Sequence, residues 1–318
     1  MGTMRVIEPG LFTTVQDLGR DGWSAHGVPV GGAVDPLSLR LGNRLVGNQE
    51  GAPALEMTLT GVTLEFDSDA NVTLTGGELV AWIERDGSPP NRAAGCRALH
   101  MRAGDQLRCG AMTRGSRAYL CVRGFSAARV LGSASTHVPS GFGGHDGREL
   151  RAGDRLTYAD GSGHHAPGAS ESAAAAMVET VLSRREIRAV AGAHAENFDC
   201  RTTERFWNST FTVTSQSDRM GMRLLGVEPL DAGPGRMLSE GMPWGAVQIP
   251  PGGLPIVMMP DHPTTGGYPV IACVASVDLP ALGQLRSGQV IRFQEVSLGE
   301  ARRLFFEREQ AFAAIHPT

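Results

Sequence analysis

The sequence predicts a mainly β protein of two tandem domains, with a few short helices and a helix at the C-terminal end. Three observations point there. The chain has 318 residues, too many for one ordinary core and about right for two. It carries 42 glycines and only 6% aromatics, a composition that suits short strands and tight turns. Its apolar residues fall in short runs bounded by Gly and Pro, with few long amphipathic stretches.

Residues 4–158 read as the first β domain. One helix in it is well marked. Asp35 can cap it, Pro36 suits its first position, Leu37, Leu41 and Leu45 share a face, and Gly47-Asn48 ends it. Val62, Leu64 and Phe66 alternate with Thr63 and Glu65, the period of a half-buried strand. Further strands are expected over 71–75, 79–84, 117–123 and 148–157. Residues 159–183 read as a linker, because Ala159 to Ala176 is small, polar and low in complexity. The second β domain is expected over 184–296, and a closing helix over 297–316. In that helix Ser297 and Glu300 form a capping box, and Leu298, Ala301, Leu304, Phe305, Phe312 and Ile315 make a stripe. Arg151-Ala152-Gly153-Asp154, Arg286-Ser287-Gly288-Gln289 and Arg102-Ala103-Gly104-Asp105 resemble one another. They fit either an internal duplication or a common hairpin turn used repeatedly.

Composition closes several doors. All 29 basic residues are arginines. Without lysine the sequence has no P-loop, no attachment point for covalent biotin, no Ser-Ser-Lys amidase triad and no Schiff base. A net charge of -4 gives no reason to expect nucleic acid or an anionic membrane as partner. The five cysteines are widely spaced without a C-x-x-C pair, which fits a reducing compartment. No run approaches the roughly 18 apolar residues of a membrane span, and no basic and apolar leader opens the sequence. A soluble, cytoplasmic protein is expected. No metal site is expected either: the nine histidines are scattered, apart from His164-His165 in the expected linker.

The most informative stretch is Pro260 to Pro269, a polar loop between apolar runs. Asp261, His262, Thr264, Thr265 and Tyr268 are the candidate catalytic residues, and Gly266 and Gly267 let backbone N–H groups face a ligand. Hydroxyl and N–H donors can polarise an amide carbonyl while Asp261 or His262 moves a proton. A turn whose hydroxyls satisfy their own backbone is the alternative. A second cluster holds Ser217, Arg219 and Arg223, whose forked guanidinium groups suit a planar carboxylate or a phosphate. Asp218 and Arg219 as mere neighbours on a solvated turn remain an equal alternative. Glu240 and Gln248 complete the candidate binding groups. In the first domain, Asp35 is a helix cap before it is a site residue, and the loop Gly141 to Arg148 is glycine-rich without the context of a dinucleotide fingerprint.

Several blocks together resemble a known family: Gln16-Asp17-Leu18-Gly19-Arg20, Gly31-Gly32-Ala33, Leu45 to Asn48, Leu55-Glu56, Leu131 to Thr136, Thr214 to Gly221, and Asp261 to Pro269. The family is that of the C subunit of bacterial 5-oxoprolinase, also called allophanate hydrolase subunit 2, the KipA family or the biotin-dependent carboxyltransferase family. Its relatives include the carboxyltransferase region of urea carboxylase. The resemblance implies tandem cyclophilin-like β-barrels, a KipI-like partner (the B component of the enzyme) and a third component of the LamB/YcsF type. It implies ATP-dependent opening of 5-oxo-L-proline to L-glutamate, with ATP bound in the complex. Two other functions stay open: carboxyl transfer to a urea-type acceptor with biotin supplied in trans, and non-enzymatic regulation of the KipI-like partner. The family loop often carries Gln where this chain has Pro263.

Overall fold

The computed structural model describes residues 1–159, 169–233 and 235–315. The chain divides into two compact units. The first comprises Met1–Arg20, Gly31–Leu182 and the chain end from Phe312; the second comprises Asp21–Val30 and Ser183–Ala311.

In the first unit the strands are β1 (Gly2–Glu8), β2 (Phe12–Gln16), β3 (Ala54–Thr58), β4 (Thr63–Phe66), β5 (Ala70–Glu84), β6 (Asn91–Arg92), β7 (Leu99–Met101), β8 (Gln106–Val122) and β9 (Arg155–Tyr158). They make one nine-stranded sheet, a half-barrel in which β8 pairs with β3, β4 and β5. Met4, Val6, Leu55, Met57, Leu64, Phe66, Val72 and Leu120 fill its core, all essentially inaccessible. Helix α1 (Pro36–Leu45) forms where the local signals place it. Asp35 Oδ1 accepts from Ser38 N at 2.9 Å, and Gly47 turns the chain away at φ +73°.

Three expectations need correction here. The stretches 71–75 and 79–84 are one strand, β5, kept continuous across Gly76-Gly77 by bulges against β8. The stretch read as a linker contains helix α2 (Ala169–Ser183), for which its alanine run is a strong helix former. Ala174, Val178, Val181 and Leu182 bury one face of it at helical spacing. Residues 160–168, including His164-His165, lie outside the described residues. The strand expected over 148–157 is confined to β9, because 151–154 forms a tight turn.

That turn recurs. Asp154 Oδ2 accepts from Arg151 N at 2.8 Å, Asp105 Oδ2 from Arg102 N at 2.8 Å, and Gln289 Oε1 from Arg286 N at 2.9 Å. Each turn holds its glycine at φ between +84° and +92°, where a Cβ would be strained. The motif occurs twice in the first unit and once in the second. It is therefore a reused turn, and its recurrence alone does not mark a domain duplication.

The second unit closes into a seven-stranded barrel. Its staves are β10 (Glu186–Ala191), β11 (Thr210–Val213), β12 (Gly221–Leu225), β14 (Ala246–Gln248), β15 (Ile256–Met258), β17 (Val270–Val274) and β18 (Val290–Glu295). A separate ribbon pairs β13 (Glu240–Gly241) with β16 (Thr265–Gly266). Helix α3 (Cys200–Asn208), capped by Asp199, sends Phe206 into the barrel, where its ring stacks on Phe293 at 4.8 Å and meets Phe211 at 5.7 Å. Helix α4 (Leu279–Gln284) and helix α5 (Leu298–Ala313) complete the set, with Ser297 Oγ accepting from Glu300 N. The stripe expected on α5 holds at Ala301, Phe312 and Ile315 but not at Leu298, which is 67% exposed on the first turn. No helix among the described residues is long and apolar enough to cross a membrane.

Phe206 carries the aromatic cluster of the barrel, so Phe206→Ala is expected to destabilise the protein by about 3–5 kcal/mol through transfer and cavity terms. A reduced urea midpoint at unchanged m-value checks it.

Candidate functional site

Barrel register assembles the candidate site. Gly221 at the start of β12 pairs with Met258 at the end of β15. The ladder continues past both strands, with Met259 N donating to Met220 O and Asp261 N donating to Arg219 O. Residues 42 positions apart thus lie side by side, and the Arg219 fork closes on the Asp261 carboxylate, Nε to Oδ2 at 2.7 Å and Nη2 to Oδ1 at 3.0 Å. Asp261 is 3% exposed and Arg219 9%, so this is a buried bidentate ion pair. The 217–219 segment is a turn whose arginine is directed inward. Asp218 Oδ1 accepts from Met220 N and Gly221 N as a turn residue does, while Arg219 folds inward.

His262 follows the pair and is buried. Its Nδ1 lies 2.7 Å from the Pro263 carbonyl, which can only accept; Nδ1 therefore carries the proton and Nε2 keeps a lone pair. Burial pushes the imidazole pKa below its ordinary 6.5, outweighing the opposite effects of the Pro263 carbonyl and the Asp261 charge. A neutral ring with an available Nε2 lone pair can accept a proton.

The second half of the loop is held from the other side. The β13–β16 register places Glu240 opposite Gly266. Gln248 is buried and its Nε2 donates to Tyr268 O at 3.2 Å. A Cβ on Gly266 would lie 2.5 Å from that same Nε2, so the Gln248 amide packs directly against the loop backbone here. Gly267 O accepts from Met237 N, and Thr264 O from Met242 N. Thr265 is exposed, while Thr264 and Tyr268 are half-buried. The structure therefore gathers Glu240, Gln248, Gly266, Gly267 and Tyr268 at the end of the loop and Arg219, Asp261 and His262 at its start. Ser217 and Arg223 stand apart. Ser217 Oγ exchanges hydrogen bonds with the Arg223 backbone across the hairpin, and Arg223 is exposed.

Sequence reasoning missed His194. It lies just after β10, its Nδ1 accepts from Val270 N at 3.1 Å, and its Nε2 lies 3.3 Å from Glu240 Oε2. Nothing in the surrounding Gly192-Ala193-His194-Ala195 marks it out. Only the barrel brings it to the loop.

The first-unit candidates serve the fold. Asp35 caps α1 and also accepts from Ser38 Oγ. Asp17, 3% exposed, accepts from Gly19 N, Ser133 Oγ, Ser135 Oγ and Ala134 N, locking Gln16–Arg20 onto Leu131–Thr136. The glycine-rich loop is packed rather than open, since a Cβ on Gly143 would lie 2.1 Å from Ser135 O. Among the described residues no group of three or more His, Cys, Asp and Glu could hold a metal ion.

Two measurements check the geometry of the loop. Asp261→Ala is expected to cost about 3–5 kcal/mol by stranding a buried guanidinium, whereas Arg219→Met combined with Asp261→Leu should recover most of that loss. Chemical denaturation of the three proteins decides it. For His262, the native state takes up a proton less readily than the unfolded chain, so wild-type stability is expected to fall as pH drops below about 6.5. The His262→Asn variant, which keeps a donor for Pro263 O, should lose that part of the slope between pH 7 and 5.

Comparison with known proteins adds the family. A model described as carboxyltransferase domain, subdomain A and B, matches residues 26–295. The C subunit of 5-oxoprolinase from Escherichia coli (strain K12) is 39% identical over 310 residues, covering 97% of this chain and 96% of that protein. Urea amidolyase of Lachancea kluyveri is 32% identical, covering 98% of this chain but only 18% of its own length. The crystal structure of the K. lactis urea amidolyase superposes with a TM-score of 0.88 at 30% identity, over 99% of this chain and 20% of that one. The chain belongs to the carboxyltransferase-domain family, alongside the C subunit of 5-oxoprolinase.

Proposed function

We propose that this chain is the C-type component of a multi-component enzyme that opens 5-oxo-L-proline to L-glutamate at the expense of ATP. The observation that carries the reading is the end-to-end match to the C subunit of 5-oxoprolinase, 97% of one chain against 96% of the other. The urea amidolyases contain the same region as a fraction of a much longer protein. A KipI-like protein and a LamB/YcsF-type protein are the proposed partners, in the cytoplasm. ATP is assigned to the assembly, since a sequence without lysine has no P-loop.

The substrate is a five-membered lactam with a carboxylate. Arg219 is committed to Asp261, so its role is to position the loop. Thr264, Thr265, Tyr268 and the N–H groups at Gly266 and Gly267 supply donors for the lactam carbonyl, and His262 Nε2 accepts the proton of the attacking group.

A second reading is favoured by the family model itself: carboxyl transfer to a urea-type acceptor. Biotin would then reach the loop on another polypeptide, because this sequence has no lysine to carry it.

Co-expression with the proposed partners separates the two. ATP-dependent glutamate release, indifferent to avidin, is the expected result. His262→Asn should lower kcat by ~10²-fold or more. Avidin-sensitive bicarbonate consumption without glutamate release would replace this reading with the second.

A further inference from the structure

We propose that Glu240 is the acceptor for the substrate's amide N–H and that His194 is the residue that positions it. The inference rests on the reading that the site takes a cyclic amide, and it assigns the recognition of that amide's nitrogen.

The tautomer of His194 follows from its neighbours. A backbone N–H can only donate, so the bond from Val270 N to Nδ1 occupies the Nδ1 lone pair. The ring proton therefore sits on Nε2, and Nε2 lies 3.3 Å from Glu240 Oε2. The ring has little freedom to move, because His194 N also donates to Val270 O, so residue 270 holds the histidine at two points. Burial is graded along the pair. The His194 side chain is 14% exposed and that of Glu240 56%, which puts the imidazole behind and the carboxylate in front.

The backbone of Glu240 is fixed by its register with Gly266, the glycine packed against Gln248 Nε2. Its backbone therefore runs beside Thr265 and Gly266 of the loop proposed to supply donors for a carbonyl. Among the described residues no protein donor meets Glu240 Oε1. A carboxylate oxygen accepts, and Oε2 already lies 3.3 Å from the ring nitrogen of His194. A ligand that presents an N–H next to a carbonyl matches both halves: the carbonyl to the loop donors, the N–H to Oε1. A secondary amide or a urea has that arrangement, whereas an ester or an N-methylated amide lacks the N–H. A site built around such an acceptor rejects ligands that cannot donate to it.

The test uses the full chain and reads the ring nitrogens of His194 by NMR. The probes are 5-oxo-L-proline and urea, with N-methyl-5-oxoproline and tetramethylurea as their counterparts without N–H. The expected result is an Nε2–H tautomer perturbed by at least one N–H probe and by neither N-methylated one. Glu240→Gln turns an amide donor toward the ligand and should weaken N–H probe binding about tenfold or more. His194→Asn keeps an acceptor for Val270 N and removes the Nε2 proton; it should weaken N–H probe binding roughly threefold to tenfold and collapse the N–H preference. A purely structural histidine would instead lower the Tm and leave that preference unchanged, which overturns the proposal. So does equal perturbation by N–H and N-methyl probes, or none by either. Glutamate release from the assembled complex is scored separately. Its absence alongside an N–H-dependent response sinks the oxoprolinase reading alone, and its persistence with full kcat/KM in Glu240→Gln sinks this assignment alone.

Discussion

The Arg219–Asp261 pair is the interaction on which the candidate site depends. It joins the turn before β12 to the loop after β15, and it is buried and bidentate. Such a pair repays its desolvation only when geometry is good and both partners are present. Its main consequence is positional. Two backbone hydrogen bonds and a two-pronged charge contact give residues 259–261 one arrangement relative to the barrel, and His262 inherits a fixed place from them.

Around that anchor, two histidines carry opposite tautomers, each dictated by a backbone group. The Pro263 carbonyl draws the proton of His262 to Nδ1 and leaves an acceptor at Nε2. The Val270 amide fills Nδ1 of His194 and leaves a donor at Nε2. One loop therefore has a proton acceptor near its start and a carboxylate with a histidine ring nitrogen 3.3 Å from it beside its end. Burial of His262 works against a charged imidazole there.

The blocks that carry the family resemblance divide into two physical kinds. In the first unit they are a lock: Asp17 draws one donor from its own turn and three from the distant segment 133–135, and glycines such as Gly143 leave no room for a side chain. In the second unit they line the loop. Local signals are legible wherever the cause is local. Asp35, Pro36 and Gly47 mark α1 because capping is decided within a turn, and Gly104, Gly153 and Gly288 mark one turn because it requires positive φ. The alanine run of α2 reads as a linker because low complexity describes linkers and good helix formers alike; the buried face at Ala174, Val178 and Val181 depends on what lies against it.

From sequence alone came the mainly β class, the expectation of two domains, the exclusions that follow from having no lysine, and the loop at 260–269 as the candidate chemical centre. These are properties of composition, period and local turn chemistry, which are written residue by residue. Tertiary structure decided that Arg219 serves Asp261, that Ser217 serves a hairpin backbone, and that His194 stands behind Glu240. Those facts depend on which strands become neighbours when seven of them close into a barrel. Strand neighbours of that kind are set by register across long separations in the chain, and no short window of residues records them.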